Sequence, residues 1–440
     1  MSEHEYVMDD PGPAAPLVVK PPEGFQWTEG QQGAVDRLTQ TIKEGGITTV
    51  AGYAGTGKST LLSAFVQAFA GTGHAFYVAT PTGKAASRLR ELGTPATTIH
   101  RWMYTPIGED KEDNPIFDLC EGARDIPDRF TLFIDEASMV GPTIFEDVAD
   151  IMGFLDGNSF QRSIVFIGDG FQLPPVLSRD ERSEWGDFNL MQQDTAGAIG
   201  SDYTSMNEVL RQAADSPILA AATALRTGGD VDRPDDVALT VRRGGVNKFL
   251  RHAYDAYQDG GIAITWTNRD RCSINSVIRR QLGFRNTLEE GEQLVVLLNN
   301  RRCSLSNGDL VKVTSVIREH NHRDAGPMFH VEYETLGGYT GEAWVLGYAM
   351  GVEKPQKIHA TVRQVEDAVS LPVLAVDYGY CLTCHKSQGS EWEKVAVYAP
   401  DFMIKIMGDE AKRWMYTAIT RASKRCTFVG GGNLAYMIGG

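Results

Sequence analysis

The sequence predicts an α/β protein made of two parallel-sheet layers, with a small β-barrel inserted in the second layer. A phosphate-loop pattern stands between a β-branched run and a segment of helical spacing, within residues 47–66. Strand-like runs alternate with helical segments around it, which is typical of a parallel sheet covered by helices. From about residue 290 to 375, short strands separated by Asn-Gly and Gly-Gly turns indicate a barrel instead.

The composition is that of an ordinary soluble protein: 440 residues, 42% hydrophobic and 22% charged, enough for two to four domains. No apolar run reaches the length of about eighteen residues that a membrane span needs, and the N-terminus lacks a signal-peptide pattern. We therefore expect no membrane association and a cytoplasmic location. Six scattered cysteines suit a reducing compartment, and the lone Cys381-x-x-Cys384 is a weak zinc signal. The net charge of −15 does not indicate nucleic-acid binding, although an acidic protein can carry a basic groove.

Residues 1–24 are proline-rich and acidic, and we expect a flexible tail because such a segment buries little apolar surface. An amphipathic helix follows, with Thr28 as its N-cap. Gln31 lies just upstream of the phosphate loop, and its amide has the donors and the acceptor needed to hold an adenine edge. A place on the helix surface is the plainer alternative.

The phosphate loop, Gly52–Ser59, fits the pattern G-x-x-x-x-G-K-[ST]. Its glycines let the backbone fold tightly, so that successive N–H groups point at a phosphate chain. Lys58 would reach the β- and γ-phosphates, and the Ser59 hydroxyl would be a ligand of Mg²⁺. A Gly-rich turn without a ligand is the alternative. The ATP contacts that we expect come from Gly52, Gly55, Thr56, Gly57, Lys58, Ser59 and Thr60.

Two later strand ends carry polar residues suited to ATP hydrolysis. Asp135 would hold Mg²⁺ through water, and Glu136 would take the proton from an attacking water. Gln172, in the turn after the fourth strand, could sense the γ-phosphate. A surface acid pair and a plain loop amide are the alternatives. Thr80, Pro81 and Lys84, with His100, offer hydroxyl, cation and ring groups for gripping a nucleic-acid strand, although a capped helix explains the first group nearly as well.

The second half repeats the strand pattern without its own phosphate loop. The strand-like runs of this layer are Gly261–Trp266, Tyr378–Leu382, Lys394–Tyr398 and Cys426–Val429. Those of the expected barrel are Gln293–Leu298, Asp309–Ile317, Met328–Glu334 and Glu342–Leu346. Arg421 and Arg211 are candidates for a guanidinium that neutralises charge in the ATP site, although a single Arg is more often a surface residue.

Six motifs, taken in order, resemble those of superfamily 1 helicases, and of the RecD/Dda branch in particular. The match covers roughly residues 25–435, and the compact size is similar to that of phage Dda helicases. Cys384 departs from the pattern, because an aliphatic residue is usual there. The motifs are Gly52–Ser59, Thr80–Lys84, Asp135–Ser138, Gly168–Pro175, Thr383–Glu391 and Tyr416–Ala422.

This resemblance implies two RecA-like domains that share ATP and Mg²⁺ and carry single-stranded DNA. The implied segments are 25–102 with 129–212 for domain 1A, 103–128 for a pin domain 1B, 213–285 with 376–440 for domain 2A, and 286–375 for an SH3-like domain 2B. By motif position it gives adenine contact to Gln31, γ-phosphate sensing to Gln172, and arginine fingers to Arg211 and Arg421. The implied DNA contacts are Thr80, Pro81, Lys84, His100, Thr267, Asn268, His385, Lys386 and Gln388.

The expected activity is ATP-dependent 5′→3′ movement on single-stranded DNA with unwinding of forked duplex, in replication or recombination. We expect a monomer, in the host cytoplasm if phage-encoded, with a single-strand-binding or replication protein as a candidate partner. A translocase with weak unwinding and a nucleotide-switched binding module are the alternatives, and Glu136 argues against the second because it serves hydrolysis. Apolar flanks around the acidic segment Gly108–Asn114 predict a hairpin that acts as a wedge; a disordered loop is the alternative.

Overall fold

The computed structural model describes residues 17–70, 72–109, 115–119, 126–155, 157, 161–210, 216–228, 238–300, 302–366, 368–400, 402–408 and 410–431. The chain divides into two compact units. Unit 1 is Met1–Pro106 with Phe117–Asp215, and unit 2 is Ile107–Ile116 with Ser216–Gly440. No helix in these ranges is both long enough and apolar enough to cross a membrane.

Helices alternate with strands through most of the described chain. The α-helices are α1 Glu29–Glu44, α2 Lys58–Phe69, α3 Gly83–Glu91, α4 Ile99–Met103, α5 Pro142–Ile151, α6 Arg179–Trp185, α7 Gln193–Ala198, α8 Pro217–Thr227, α9 Val246–Gln258, α10 Asn268–Leu282, α11 Ile358–Glu366, α12 Cys384–Ser387, α13 Met403–Met407 and α14 Glu410–Ile419. The strands are β1 Gly46–Gly52, β2 Ala75–Thr80, β3 Thr97–Thr98, β4 Tyr104–Glu109, β5 Pro115–Leu119, β6 Arg129–Ile134, β7 Gln161–Gly168, β8 Asp202–Met206, β9 Leu239–Arg243, β10 Ile262–Thr265, β11 Gln293–Val296, β12 Leu310–His322, β13 Gly326–Thr335, β14 Thr340–Leu346, β15 Val373–Tyr378, β16 Cys381–Thr383, β17 Trp392–Ala399 and β18 Ala422–Gly430.

Unit 1 is built on a parallel sheet whose described strands run in the order β3-β2-β6-β7-β1-β8. Its central strands are apolar on both faces because helices cover each side, and Phe133 and Phe166 have no exposed surface. Helix α2 packs Leu62 and Phe65 into the core on the side of the sheet that carries Phe133. All the predicted loops after β1, β2, β6 and β7 therefore lie at one edge of the sheet, where parallel strands place their carboxyl ends.

Unit 2 contains a second parallel sheet, in the order β16-β10-β17-β18-β9, and a closed barrel of β11 to β15. The barrel is antiparallel except where β14 and β15 run parallel. This confirms the predicted fold class of parallel-sheet α/β layers with an inserted barrel.

One strand prediction was wrong. The run Tyr378–Leu382 is not a single strand, because β15 ends at Tyr378 in the barrel and β16 begins at Cys381 in the second sheet. Gly379 makes the crossing: a Cβ there would lie 2.8 Å from the carbonyl carbon of Leu294, so only glycine lets the two backbones pass. The hydrophobic pattern does not show this break, because all residues from Tyr378 to Leu382, before and after the break, are buried.

The strands β4 and β5 pair with each other as a separate two-stranded sheet. They flank the acidic segment as the hairpin prediction required. The centre of that segment, residues 110–114, lies outside the described residues.

Candidate nucleotide-binding site

The phosphate loop joins β1 to α2 in a conformation that requires glycine. Gly55 and Gly57 have φ angles of 78° and 83°, in the left-handed region where a side chain is strained. A Cβ on Gly52 would lie 2.7 Å from the Thr56 hydroxyl oxygen. The glycines of the motif are therefore needed by the backbone itself.

Helix α2 begins at Lys58 directly after this loop, and no side chain caps it. The first backbone N–H groups of a helix have no intrahelical partner, and together with the helix dipole they attract a phosphate. Ser59 and Thr60 lie in this first turn and are partly exposed. The Lys58 ammonium donates to the carbonyl oxygens of Gly52 at 2.7 Å and Tyr53 at 3.0 Å, so it lies folded across the loop.

Gln31, the residue expected to contact adenine, is bonded to two backbone groups of unit 1. Its side chain has no exposed surface, its Nε2 donates to the Thr56 carbonyl at 2.9 Å, and its Oε1 accepts from the Thr28 N–H at 3.1 Å. The hydroxyl of Thr28 caps α1 by accepting a hydrogen bond from the Gln31 N–H, as the sequence predicted. In this arrangement Gln31 fastens the phosphate loop to the first turn of α1.

The acidic pair follows β6. The Asp135 N–H donates to the Ala79 carbonyl at 3.0 Å, which holds the end of β6 against β2. Burial and the neighbouring Glu136 raise the pKa of Asp135 to about 7, and Lys58 and Arg88 oppose this effect. Glu136 has a φ of 54° and a ψ of 36°, a left-handed conformation that costs a non-glycine residue about 1–3 kcal/mol and that clusters at functional sites.

The turn that carries Gln172 packs against a segment that sequence analysis did not single out. Gln192 Nε2 donates to the Gly170 carbonyl at 2.8 Å, and a Cβ on Gly170 would lie 2.8 Å from the Met191 carbonyl oxygen. Asn189 is buried and accepts from the Met191 N–H at 3.0 Å. Asn189 and Gln192 come from a loop before α7, and no local motif marks them.

Three buried oxygens in these turns have no hydrogen-bond partner within the described part of the chain: Glu136 Oε2, Ser138 Oγ and Gln172 Oε1. Two of them can only accept hydrogen bonds, and no donor to them lies in the described part of the chain. Water molecules around a hydrated Mg²⁺ supply such donors, and unpaired buried polar groups are rare in folded proteins. The turns therefore fit the Mg²⁺ and ATP that the sequence predicted, with Ser59 and Asp135 as the residues that would hold the metal.

The residues of unit 1 predicted to contact DNA lie at the ends of β2 and β3. Thr80 has no exposed surface, and its hydroxyl donates to the Thr82 carbonyl at 2.7 Å, so it shapes the turn rather than presenting a free hydroxyl. Pro81 and Lys84 are partly exposed at the start of α3. Burial lowers the pKa of His100, whose ring lies 5.4 Å from that of Tyr104.

In unit 2, Thr267 caps α10, accepting from the Asp270 N–H at 3.0 Å and donating to its carboxylate at 2.7 Å. Asn268 Oδ1 accepts from Arg271 Nε at 3.2 Å. His385 and Lys386 lie on α12, and burial lowers the pKa of both. Gln388 is buried, whereas His385 and Lys386 keep part of their surface exposed.

Arg271 also anchors α10 to the barrel. It forms an ion pair with Asp377 of β15, with only 3% and 2% of the two side chains exposed. Asp377 accepts two further backbone hydrogen bonds, from Gly351 and Tyr378, each at 2.7 Å. This pair joins the helix that begins at Asn268 to the closing strand of the barrel.

Two more polar side chains of α10 continue this connection at four-residue intervals. Asn275 donates to the Tyr378 carbonyl at 2.9 Å and accepts from the Cys381 N–H at 2.7 Å, on either side of the β15–β16 crossing. Arg279 donates to the fully buried Glu292 at 2.7 Å, and its guanidinium lies 4.0 Å from the centre of the Tyr378 ring.

Arg421, at the end of α14, is 5% exposed. Its guanidinium donates to the carbonyls of Thr417 at 3.0 Å and Ser390 at 3.2 Å, both within unit 2. Arg211 lies outside the described residues.

A parallel sheet with a phosphate loop after one strand and an acidic pair after another defines a P-loop nucleotide-binding protein. The chain belongs to the family described as AAA domain, whose model matches residues 26–249. The model described as UvrD-like helicase C-terminal domain matches residues 378–429. Together with the RecD2 and dda relatives described next, these matches confirm the resemblance to the RecD/Dda branch of superfamily 1.

The chain is 25% identical over 390 residues to the ATP-dependent RecD2 DNA helicase of Deinococcus radiodurans, covering 86% of this chain and 46% of that protein. It is 28% identical over 272 residues to the ATP-dependent DNA helicase dda of Enterobacteria phage T4, covering 58% and 57%. A solved structure of Pif1 helicase from Bacteroides, in complex with ADP-AlF3 and single-stranded DNA, has the same fold, with a TM-score of 0.56, 19% identity and 92% of each chain covered. The chain thus spans about half the length of these two curated relatives.

Proposed function

We propose that this protein is an ATP-dependent DNA helicase that moves 5′→3′ on single-stranded DNA and opens forked duplex. The observation that carries the proposal is the acidic pair, in which Glu136 is held in a strained conformation and one of its carboxylate oxygens is buried without a hydrogen-bond partner among the described residues. A nucleotide-switched binding module needs a phosphate loop but has no need of a general base at this position. The pair therefore favours a hydrolase that turns over.

Each residue of the site has a role in this proposal. Lys58 would leave its two carbonyl partners for the β- and γ-phosphates, and the uncapped first turn of α2 would bind the same phosphates through N–H groups. Glu136 would accept the proton of the attacking water, and Gln172 would orient that water or the γ-phosphate. Mg²⁺, held by Ser59 and Asp135, would neutralise charge on the phosphates. Its positive charge would also keep Asp135 ionised despite burial.

The names of the relatives support the substrate. The Deinococcus and phage T4 proteins are named ATP-dependent DNA helicases, and the Bacteroides structure holds a nucleotide analogue with single-stranded DNA. We extend to this chain the use of ATP, Mg²⁺ and single-stranded DNA, the arginine-finger roles of Arg211 and Arg421, and the DNA contacts expected of the turn Thr80–Lys84, of Thr267 and of His385. The domain limits given above, the monomeric state and the 5′→3′ direction belong to the same proposal.

The decisive experiment is unwinding of matched duplexes that carry either a 5′ or a 3′ single-stranded tail. The proposal expects ATP-dependent strand separation with the 5′ tail alone. Efficient unwinding of a duplex that has only a 3′ tail would show that the protein moves 3′→5′. Movement on single-stranded DNA without duplex unwinding would show that the protein is a translocase and not a helicase.

The general base is tested separately with Glu136→Gln, which keeps the side-chain volume. ATP and DNA binding should persist while turnover falls by at least about a hundredfold, the lower end of what a positioned general base contributes. Glu146→Gln is the matched control, because Glu146 is an exposed acid of α5 in the same unit and undergoes the same chemical change. Near-normal turnover of Glu136→Gln would refute the assignment.

A further inference from the structure

Two aromatic side chains lie together at the carboxyl edge of the second sheet, and neither belongs to the motifs discussed above. Trp266 directly follows β10, and Phe402 comes three residues after β17 ends. These strands are parallel neighbours, with Thr265 opposite Tyr398. Their ends therefore bring the two rings to within 5.6 Å, at an interplanar angle of 55°.

The contact between Trp266 and Phe402 is not part of the hydrophobic core, because Phe402 is exposed to solvent. Half of the Phe402 side chain, 50%, is exposed to solvent, whereas Trp266 is partly buried. Phe402 is one of several exposed large hydrophobic side chains of the described chain, and here it adjoins a second ring; contiguous exposed apolar surface marks binding sites. Trp266 is placed to support the Phe402 ring from one side, and Phe402 keeps surface available for a ligand.

Each aromatic is followed, three residues later, by an exposed cation. Arg269 stands in the first turn of α10 after Trp266, and Lys405 stands on α13 after Phe402. The acid that follows Arg269, Asp270, already accepts a hydrogen bond from the Thr267 hydroxyl, and its backbone N–H donates to the same hydroxyl. The edge thus combines ring surface with positive charge, the combination that binds single-stranded nucleic acid by stacking bases and attracting phosphates.

We propose that Phe402, supported by Trp266, is a stacking platform for one unpaired base of single-stranded DNA, with Arg269 and Lys405 contacting the adjacent phosphates. This rests on the proposed function, since it adds a base-stacking contact to the DNA-binding edge. The occupant is an unpaired base because duplex DNA offers its base faces only at its ends. Stacking of this kind tolerates any base, as a motor moving along a strand requires.

The test is the affinity for a short, end-labelled oligothymidylate, measured by fluorescence anisotropy in the full-length protein at fixed salt. Phe402→Ala should weaken binding about tenfold, within the range found for loss of one base–aromatic stack. Phe402→Tyr should restore it, and Phe402→Leu should not, because leucine keeps the apolar surface without the ring. Leu336→Ala, at a 71% exposed apolar residue of a barrel turn, is the control and should bind like the parent.

A second measurement separates stacking from a structural effect. An oligonucleotide with one abasic site, moved stepwise along the strand, should lose affinity for the parent at one position and show no such position with Phe402→Ala. Arg269→Ala and Lys405→Ala should each reduce the dependence of log affinity on log salt by about one, while Phe402→Ala should leave that slope unchanged.

The outcomes distinguish the two proposals. If the parent does not bind single-stranded DNA, the proposed function fails. If the parent binds and Phe402→Ala binds equally well, or if Phe402→Leu restores binding as fully as Phe402→Tyr, the stacking platform is refuted while the helicase proposal stands.

Discussion

The substitution Gly57→Ala tests how the phosphate loop is held in place. Gly57 has a φ of 83°, so an alanine there bears the left-handed strain of about 1–2 kcal/mol. Its Cβ would also lie 2.5 Å from Gln31 Nε2 and 3.2 Å from Leu210 Cδ1. The Gln31 amide must then move away and lose its 2.9 Å hydrogen bond to the Thr56 carbonyl.

The magnitude follows from these two terms. Leaving a buried amide and carbonyl unpaired costs about 1–3 kcal/mol. Together with the backbone strain, Gly57→Ala should lower the free energy of unfolding by about 2–5 kcal/mol. The matched control is Gly93→Ala, because Gly93 has a φ of 81° and nothing within 4 Å of an added Cβ. It should lose only the strain of about 1–2 kcal/mol.

The assay is urea unfolding followed by circular dichroism, with the affinity for a fluorescent adenine nucleotide measured in parallel. Nucleotide affinity should fall in Gly57→Ala and stay at the parent value in Gly93→Ala. In a Gln31→Ala background the extra cost of Gly57→Ala should shrink towards the backbone strain, because the contact with Gln31 is gone and only the looser one with Leu210 remains. Equal losses for Gly57→Ala and Gly93→Ala, or an unchanged cost in the Gln31→Ala background, would refute the reasoning.

Three further predictions concern the rest of the molecule. Lys58→Ala should abolish ATP hydrolysis, measured by phosphate release, with little change in thermal midpoint, since Lys58 is a partly exposed loop contact; persistent turnover would contradict its role. Arg271→Met should destabilise unit 2 by about 3–5 kcal/mol in urea unfolding, because it strands a buried charge on Asp377, and the double variant with Asp377→Asn should recover part of this loss. If Arg271→Met lowers the free energy of unfolding by less than about 1 kcal/mol, the Arg271–Asp377 pair is accessible to water and the reasoning is wrong. Replacing Gly108–Asn114 with a short Gly linker should leave DNA-stimulated ATP hydrolysis unchanged and sharply reduce unwinding; parent-rate unwinding would place strand separation elsewhere.

Local patterns were sufficient for the parallel-sheet class and the phosphate loop. The motif's glycines, Lys58 and the following helix are contiguous, and the left-handed angles at Gly55 and Gly57 depend on their own backbone. The Thr28 cap and the short strands and turns of the barrel could also be predicted from the sequence, since both depend on residues a few positions apart. The edge strands β8 and β9 were missed. Among the described strands each has a neighbour on one side only, and Asp202 of β8 and two arginines of β9 interrupt the apolar pattern that marks a central strand.

Only the tertiary structure shows the contacts between residues that are distant in the chain. Gln31 fits an adenine contact by position, yet it bonds to Thr56, 25 residues away, because the loop folds back onto α1. The ion pair of Arg271 with Asp377 spans 106 residues. The meeting of Trp266 and Phe402 exists only because parallel strands that are far apart in sequence end at the same edge of a sheet. Sequence periods of two and 3.6 residues report which face of an element is buried; they contain no information about which other element covers it.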